Sequence, residues 1–147
     1  MDREAVAKVL RTVPLFKSLR PGDVQHLADL ASVRRYRSGS TIVRQDDTAM
    51  TLYCVLSGSV RIEREPARAA DGPVTLATLG PGGFFGEMSL LDDFPRSATV
   101  IAEEPTECAL ISKWDFQKEL KSHPEIGQAL LRVLSQRIRA LDERLSL

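Results

Sequence analysis

The sequence predicts a mainly β domain flanked by helices, with its strands arranged as an antiparallel sandwich or jelly roll. Apolar residues follow helical spacing up to about residue 31 and again after Ser112, whereas the segment between them alternates with the period of two typical of strands. A chain of 147 residues that is 43% hydrophobic and 27% charged is expected to form one core. We therefore predict a single domain over 1–147, with N-terminal helices over about 1–31, a β core over 32–112 and C-terminal helices over 113–147.

Two helices are predicted before the β core. The first has apolar residues at the i, i+3, i+4 and i+7 positions of an amphipathic helix and is closed by Pro14; these residues are Val6, Val9, Leu10 and Val13. Pro21 suits the first turn of the second helix. No Ser or Asp cap precedes Pro21, so the start of this helix is predicted from the proline alone. Its buried face is expected to contain Val24, Leu27, Ala28 and Ala31.

Seven short strands are predicted in the β core. Turn sequences rich in glycine, serine and aspartate separate them, namely RSGS, RQDD, LSGS, AADGP and LGPGG. Many short strands at regular spacing are typical of sandwiches and jelly rolls. The predicted strands cover residues 33–36, 41–44, 51–56, 59–64, 74–79, 97–102 and 107–112.

Helical spacing returns at the end of the chain. Ser112 and Asp115 have the spacing of a capping box, and Pro124 after His123 ends one helix and starts another. The last helix, from Pro124 to about Leu145, would be roughly 30 Å long. Its apolar residues are expected to pack against the β core or to form a dimer interface; they are Ile126, Leu130, Val133, Leu134, Ile138, Leu141 and Leu145.

Charge and composition exclude several classes of protein. The 20 basic and 20 acidic residues balance, which argues against a dedicated nucleic-acid binder. The N-terminus has no signal-peptide pattern and no segment is apolar enough to span a membrane, so a soluble cytoplasmic protein with no membrane association is expected. Cys54 and Cys108 lie in apolar strand patterns and are expected to be buried.

The two histidines do not have the spacing of a metal site. His26 and His123 are far apart in the sequence and neither has a ligand-like neighbour, so both are expected to be surface or packing residues. A metal-dependent cupin enzyme would need clustered His and Glu ligands. We therefore predict no bound metal, no cofactor, no catalytic residues and no enzymatic activity.

The segment FFGEMSLLDDFPRSATV, residues 84–100, combines two opposite charges with glycine and small polar residues. Taken alone, Glu87 and Arg96 could be a surface salt bridge. The surroundings favour a small anionic ligand, because a helical turn starting at Gly86 would present free amides to an anion and an arginine fork binds two phosphate oxygens. A carboxylate such as that of Glu87 would accept a sugar hydroxyl. Ser97, the amide of Ala98 and Thr99 would complete the polar lining.

This segment resembles the phosphate-binding cassette of the cyclic nucleotide-binding domain family. The matching positions are Phe85, Gly86, Glu87, Met88, Ser89 and Leu90, followed after a spacer by Arg96, Ser97, Ala98 and Thr99. The segments YRSGSTIVRQDD, LSGSVRI and ALISKWDFQKEL are also similar to family segments in the same order, so the resemblance covers roughly residues 12–145. One departure is Asp46, which replaces a usual turn glycine, and Asp tolerates left-handed turns.

The resemblance implies both a fold and a ligand. It implies an eight-stranded antiparallel jelly-roll β-barrel, with Glu87 on the ribose 2′-hydroxyl and Arg96 on the cyclic phosphate. Gly86, Ser97 and Ala98 would add backbone or hydroxyl contacts. Serine at position 97 favours 3′,5′-cyclic AMP (cAMP) over cyclic GMP (cGMP), and the base would meet polar groups of the last helix, for which the candidates are Arg137, Arg139 and Asp142.

The remaining predictions concern Trp114, assembly and output. Trp114 is expected to anchor the core, with a base-stacking lid as the alternative. We expect a homodimer through the last helix, which would also relay nucleotide binding. The chain stops at Leu147, too soon for the DNA-binding module of bacterial relatives, so this chain alone is not expected to bind nucleic acid. The alternatives are a sensor fragment of a larger transcription regulator, channel or kinase-type protein, and a relative that has lost nucleotide binding.

Overall fold

Two four-stranded antiparallel sheets form the centre of the structure. The structure is a computed structural model that describes residues 1–48, 50–65, 72–86 and 98–144. The first sheet has the order β1-β8-β3-β6, and these strands are Ser32–Tyr36, Thr106–Ser112, Thr51–Ser57 and Phe84–Phe85. The second sheet has the order β2-β7-β4-β5, made of Thr41–Val43, Thr99–Ala102, Val60–Arg64 and Val74–Leu79. The prediction of an antiparallel jelly roll with flanking helices is confirmed. Within the described residues, the sheets form a sandwich and do not close into a barrel.

Four helices flank the sheets in the described part of the chain: α1 Arg3–Leu10, α2 Pro21–Leu30, α3 Lys113–Ser122 and α4 Pro124–Arg144. Their starts follow the local chemistry. Pro21 opens α2 without a side-chain cap, and the hydroxyl oxygen of Ser112 accepts a hydrogen bond from the Asp115 amide at 3.1 Å. The predicted break at Pro124 separates α3 from α4. None of the described helices combines the length and the apolar character needed to cross a membrane.

The first sheet contributes side chains to a hydrophobic core on each of its faces, because successive side chains of a strand point in opposite directions. In β3, Leu52 and Cys54 belong to the core that contains the helices, whereas Tyr53 and Val55 belong to the core between the two sheets. The helix-side core is the larger of the two. It includes the predicted buried face of α2, since Val24, Leu27, Ala28 and Ala31 are all buried.

The predicted strand positions agree with the structure to within one or two residues at each end, with two qualifications. Strand β7 begins at Thr99 in the described part, whereas the prediction started at residue 97, which lies outside the described residues. Strand β6 was not predicted, because two residues are too few to show a period of two. Asp46 does adopt a left-handed conformation, with φ of 72°.

Trp114 lies on the surface. The prediction that it anchors the core is wrong, because the residue is 67% exposed near the start of α3. Phe116, two positions later, is fully buried and is the aromatic residue of α3 that packs in the core. Cys54 and Cys108 are both buried free thiols, as predicted, and burial raises the pKa of Cys108 to about 12, which keeps it protonated and unreactive.

Candidate functional site

Strand β6 contains the start of the predicted cassette, and its two aromatic rings pack on opposite faces of the first sheet. The buried ring of Phe84 belongs to the helix-side core, and the guanidinium carbon of Arg137 in α4 lies 5.9 Å from its centroid. The ring of Phe85 points between the sheets and stacks on Tyr53 in β3, with centroids 4.9 Å apart and planes 10° apart. Both rings fix the strand immediately before Gly86.

Gly86 leaves β6 with a φ of 96°, a backbone conformation that residues with side chains rarely adopt. Glycine is therefore required for the chain to turn out of the sheet at this position. The described chain resumes at Ala98, which is buried next to the start of β7 in the second sheet. The cassette thus connects one sheet to the other.

Five predicted site residues lie between these two points. Glu87, Met88, Ser89, Arg96 and Ser97 are outside the described residues. Phe85, Gly86 and Ala98 stand at the two ends of the segment that contains them.

Thr99 has a structural contact at the end of the cassette. Its hydroxyl oxygen accepts a hydrogen bond from the Gln45 amide at 2.9 Å, and the side-chain oxygen of Gln45 accepts one from the Glu65 amide, also at 2.9 Å. These bonds connect β7 to the turn after β2 and to the end of β4. The sequence pattern placed Thr99 in the site but could not reveal this long-range partner.

The predicted base contacts lie on α4. Both arginines are exposed, but Arg137 lies beside β6 through its contact with Phe84, whereas Arg139 is two positions further along. Side chains two positions apart in an α-helix are separated by about 160° around its axis, so these arginines leave α4 on different sides. Asp142 also belongs to α4, but its side chain lies outside the described part.

The space between the sheets is apolar at the site. Burial is the main reason that the pKa of Tyr36 rises to about 12, with Tyr53 and Cys108 as lesser causes, so its phenol stays neutral at physiological pH.

Tyr53 also lines a surface depression of about 220 Å³. Sequence reasoning missed this depression, because the residues that line it come from both sides of the β2–β3 turn. They are Ile42, Val43, Asp47, Thr48, Met50, Thr51 and Tyr53.

The two histidines were expected to be surface or packing residues, and the structure agrees, with His26 exposed in α2 and His123 half-buried between α3 and α4. His26 and His123 both lie against the buried carboxylate of Glu119. No group of three or more His, Cys, Asp or Glu side chains in the described ranges is arranged to hold a metal ion.

Comparison with known proteins agrees with this architecture. Residues 33–123 match the family model described as "Cyclic nucleotide-binding domain". The chain is 38% identical over 134 residues to the "Cyclic AMP receptor protein" of Thermus thermophilus, covering 91% of this chain and 61% of that protein. The crystal structure of the Thermus thermophilus catabolite activator protein superposes with a TM-score of 0.82 at 38% identity, over 90% of this chain and 62% of that one.

Another similar protein is named as an enzyme. It is "Acetyltransferase Pat" of Mycolicibacterium smegmatis, which is 31% identical over 137 residues. The match covers 93% of this chain but only 40% of that protein. The chain therefore spans about three fifths or less of the length of these curated relatives.

Proposed function

Because the chain belongs to the cyclic nucleotide-binding domain family, we propose that it is a non-enzymatic sensor that binds a cyclic nucleotide in the cassette of residues 84–100. The observation that carries this proposal is the place of the cassette sequence in the fold. The motif begins at Phe85 in β6, immediately before the backbone turns out of the sheet at Gly86, and ends where β7 enters the second sheet. A ligand held there would contact both sheets at once.

The residue roles follow the chemistry of a cyclic nucleotide. Arg96 would hold the cyclic phosphate through charge-assisted hydrogen bonds, and Glu87 would accept a hydrogen bond from the ribose 2′-hydroxyl. Gly86, Ser97 and Ala98 would supply amides or a hydroxyl, and Phe85, Met88 and Ser89 would complete the pocket. We assign Thr99 to holding the end of the cassette, since its hydroxyl already accepts from Gln45.

We propose cAMP as the preferred nucleotide, with cGMP as the weaker ligand. Ser97 supports this choice through the family resemblance, where serine at this position is common in cAMP binders. The printed name of the Thermus thermophilus relative, a cyclic AMP receptor, also supports it.

A panel of ligands tests the nucleotide assignment. In titration calorimetry, the dissociation constant of cAMP should be at least about tenfold lower than that of cGMP, a difference of roughly 1.4 kcal/mol in binding free energy. 2′-Deoxy-cAMP should also bind at least about tenfold more weakly than cAMP, because it leaves the Glu87 carboxylate without its hydroxyl partner. In the Glu87→Gln variant the difference between cAMP and its deoxy analogue should shrink.

Each arm of this panel can fail separately. Displacement of cAMP by lower concentrations of cGMP would contradict the preference, and equal binding of the deoxy analogue would contradict the role of Glu87. Binding of neither nucleotide would support the alternative that the chain keeps the fold but has lost the ligand.

We further propose that α4 relays nucleotide occupancy. Arg137 connects α4 to Phe84, and Phe84 is two residues before the turn at Gly86, so a change in the cassette has a short route to the helix. A ligand shifts such an equilibrium only if it binds one arrangement of the helix more tightly than the other. Contact of the base with α4 would provide this difference.

Hydrogen exchange tests the relay. Saturating cAMP should slow amide exchange in residues 124–145 of the wild-type protein by about threefold or more, since a ligand-bound helix opens less often. In Phe84→Leu, which removes the ring under Arg137, cAMP should still bind but should slow exchange less. Phe16→Leu makes the same substitution at another buried position of the same core and should retain the full effect. Unchanged exchange in wild-type α4 at saturating cAMP would contradict the relay.

The exposed side of α4 supports a homodimer. Leu131 and Ile138 are 67% and 58% exposed. In the sequence they continue, with Leu134, Leu141 and Leu145, the alternating three- and four-residue spacing of a coiled coil, and Leu134 also packs against the helix-side core. Pairing with the same helix of a second copy would bury this stripe in a two-fold arrangement.

The process that the sensor would regulate is a proposal of its own, separate from the identity of the ligand. The matches cover only part of each relative, so the chain fits a regulatory module of a larger transcription regulator, channel or kinase-type protein as well as an independent sensor. We propose that it acts in the cytoplasm and does not bind nucleic acid by itself, in keeping with its zero formal net charge.

A further inference from the structure

Both histidines of the chain lie against one buried carboxylate, far from the cassette in sequence. His26 Nε2 in α2 is 3.4 Å from one carboxylate oxygen of Glu119 in α3, and His123 Nε2 is 3.6 Å from the other. His123 also faces Asp23 of α2 at 3.7 Å and Glu125 of α4 at 3.4 Å. We call these five residues the histidine cluster.

Glu119 makes the charge of this cluster important. The residue is only 4% exposed, and a buried carboxylate is costly unless a positive group or hydrogen-bond donors compensate it. Among the described residues, the cationic partners within 4 Å of it are the two imidazoles, which are positive only when protonated. With neutral histidines the cluster holds three carboxylates and no positive charge, whereas two protonated histidines offset two of the three.

The cluster lies where three helices meet. His123 is the residue between α3 and α4, its amide donates to the Glu119 carbonyl oxygen at 2.8 Å, and its own carbonyl accepts from the Ile126 amide at 3.0 Å. Asp23 and His26 belong to α2, so the side-chain contacts cross from α2 to the junction of the two C-terminal helices. These contacts therefore connect the junction of α3 and α4 to α2.

We propose that the histidine cluster is a pH-sensitive latch that holds the α3–α4 junction to α2 when His26 and His123 are protonated and loosens it when they are neutral. Imidazole is the side chain whose charge most commonly changes near neutral pH, so a comparison of pH 5.5 with pH 8.0 is the appropriate window for this latch. The stabilisation is present on the acidic side of this window and is lost as the pH rises. This inference does not depend on nucleotide binding.

Thermal unfolding of the ligand-free protein, in buffers that contain a chelator, tests the latch. At pH 5.5 the double variant His26→Gln/His123→Gln should melt about 2 to 6 °C below the wild type, and at pH 8.0 this difference should largely disappear. Glutamine is the appropriate replacement because it keeps a hydrogen-bond donor but cannot gain a charge. Lys118→Gln removes a positive charge from an exposed position of the same helix α3, and its effect should not depend on pH in this window.

Two further measurements make the test independent of how well the double variant folds. His26 has a side chain that is 57% exposed, so His26→Gln should keep the fold and show part of the same pH-dependent difference. In the wild type, the protection factors of the His123 and Ile126 amides, corrected for intrinsic exchange, should be higher at pH 5.5 than at pH 8.0. A melting difference that is the same at both pH values, or that grows with pH, would overturn the latch.

Discussion

Replacement of Arg96 by alanine is expected to weaken cAMP binding by about 2 to 5 kcal/mol, which is roughly 30-fold to 5,000-fold in affinity. The proposed partner is a phosphate that is largely removed from water when bound, so loss of the guanidinium leaves that charge without compensation. Titration calorimetry on the two proteins measures the difference directly. The fold should be retained, and the melting temperature of the variant without ligand should remain close to that of the wild type.

Two controls separate a phosphate ligand from a general charge effect. Arg96→Lys keeps the positive charge but loses the planar fork, so its affinity should fall between those of the wild type and the alanine variant. Arg132→Ala removes an exposed arginine of α4, and cAMP affinity should change little. Equal affinity of Arg96→Ala and the wild type would exclude Arg96 as the phosphate ligand.

Replacement of Ile138 by glutamate is expected to convert the proposed homodimer into a monomer. Two-fold symmetry places the new charge in the interface twice, so the dimer dissociation constant should increase by about 100-fold or more. Ile138 is already exposed in the single chain, which means that the monomer should fold normally. Sedimentation or light scattering over a range of concentrations, with and without cAMP, measures the change.

Gln136→Glu is the matched control for this experiment. It adds the same negative charge to the same helix at an exposed position, but two residues of separation place it about 160° away around the axis. The dimer should survive this change. A wild-type protein that is monomeric at high concentration, with and without cAMP, would contradict the proposed dimer.

The elements that sequence reasoning predicted well are those whose signal is local. The capping hydroxyl of Ser112, the first-turn proline at position 21 and the break at Pro124 act within one helical turn, and all three have the predicted effect. The strands likewise follow from an alternation that a few consecutive residues display. The motif from Phe85 to Thr99 pointed to the family because its chemistry is concentrated in fifteen consecutive positions.

The errors have a different origin. An aromatic residue near a helix start suits either the core or the surface, and only the packing of α3 buries Phe116 and exposes Trp114. LSGS marked a turn from sequence, but the structure shows why glycine is needed at position 58: a Cβ there would collide with the Pro105 carbonyl oxygen. Strand β6 exists because β3 pairs with it, which two isolated phenylalanines cannot reveal.

The sequence by itself determined the order of helices and strands, the caps and turns between them, and the family to which the cassette motif points, because each of these depends on neighbouring residues. The tertiary structure alone decided which ring of β6 meets α4 and which meets Tyr53, that Thr99 accepts from Gln45, and that His26 and His123 share Glu119. Apart from His123 and Glu119, which are four positions apart, these contacts join residues that are 32 to 93 positions apart, and no periodic pattern extends over such distances. Their proximity results from the stacking of the two sheets and the packing of the helices on one of them, since both bury apolar surface that no single element can bury alone.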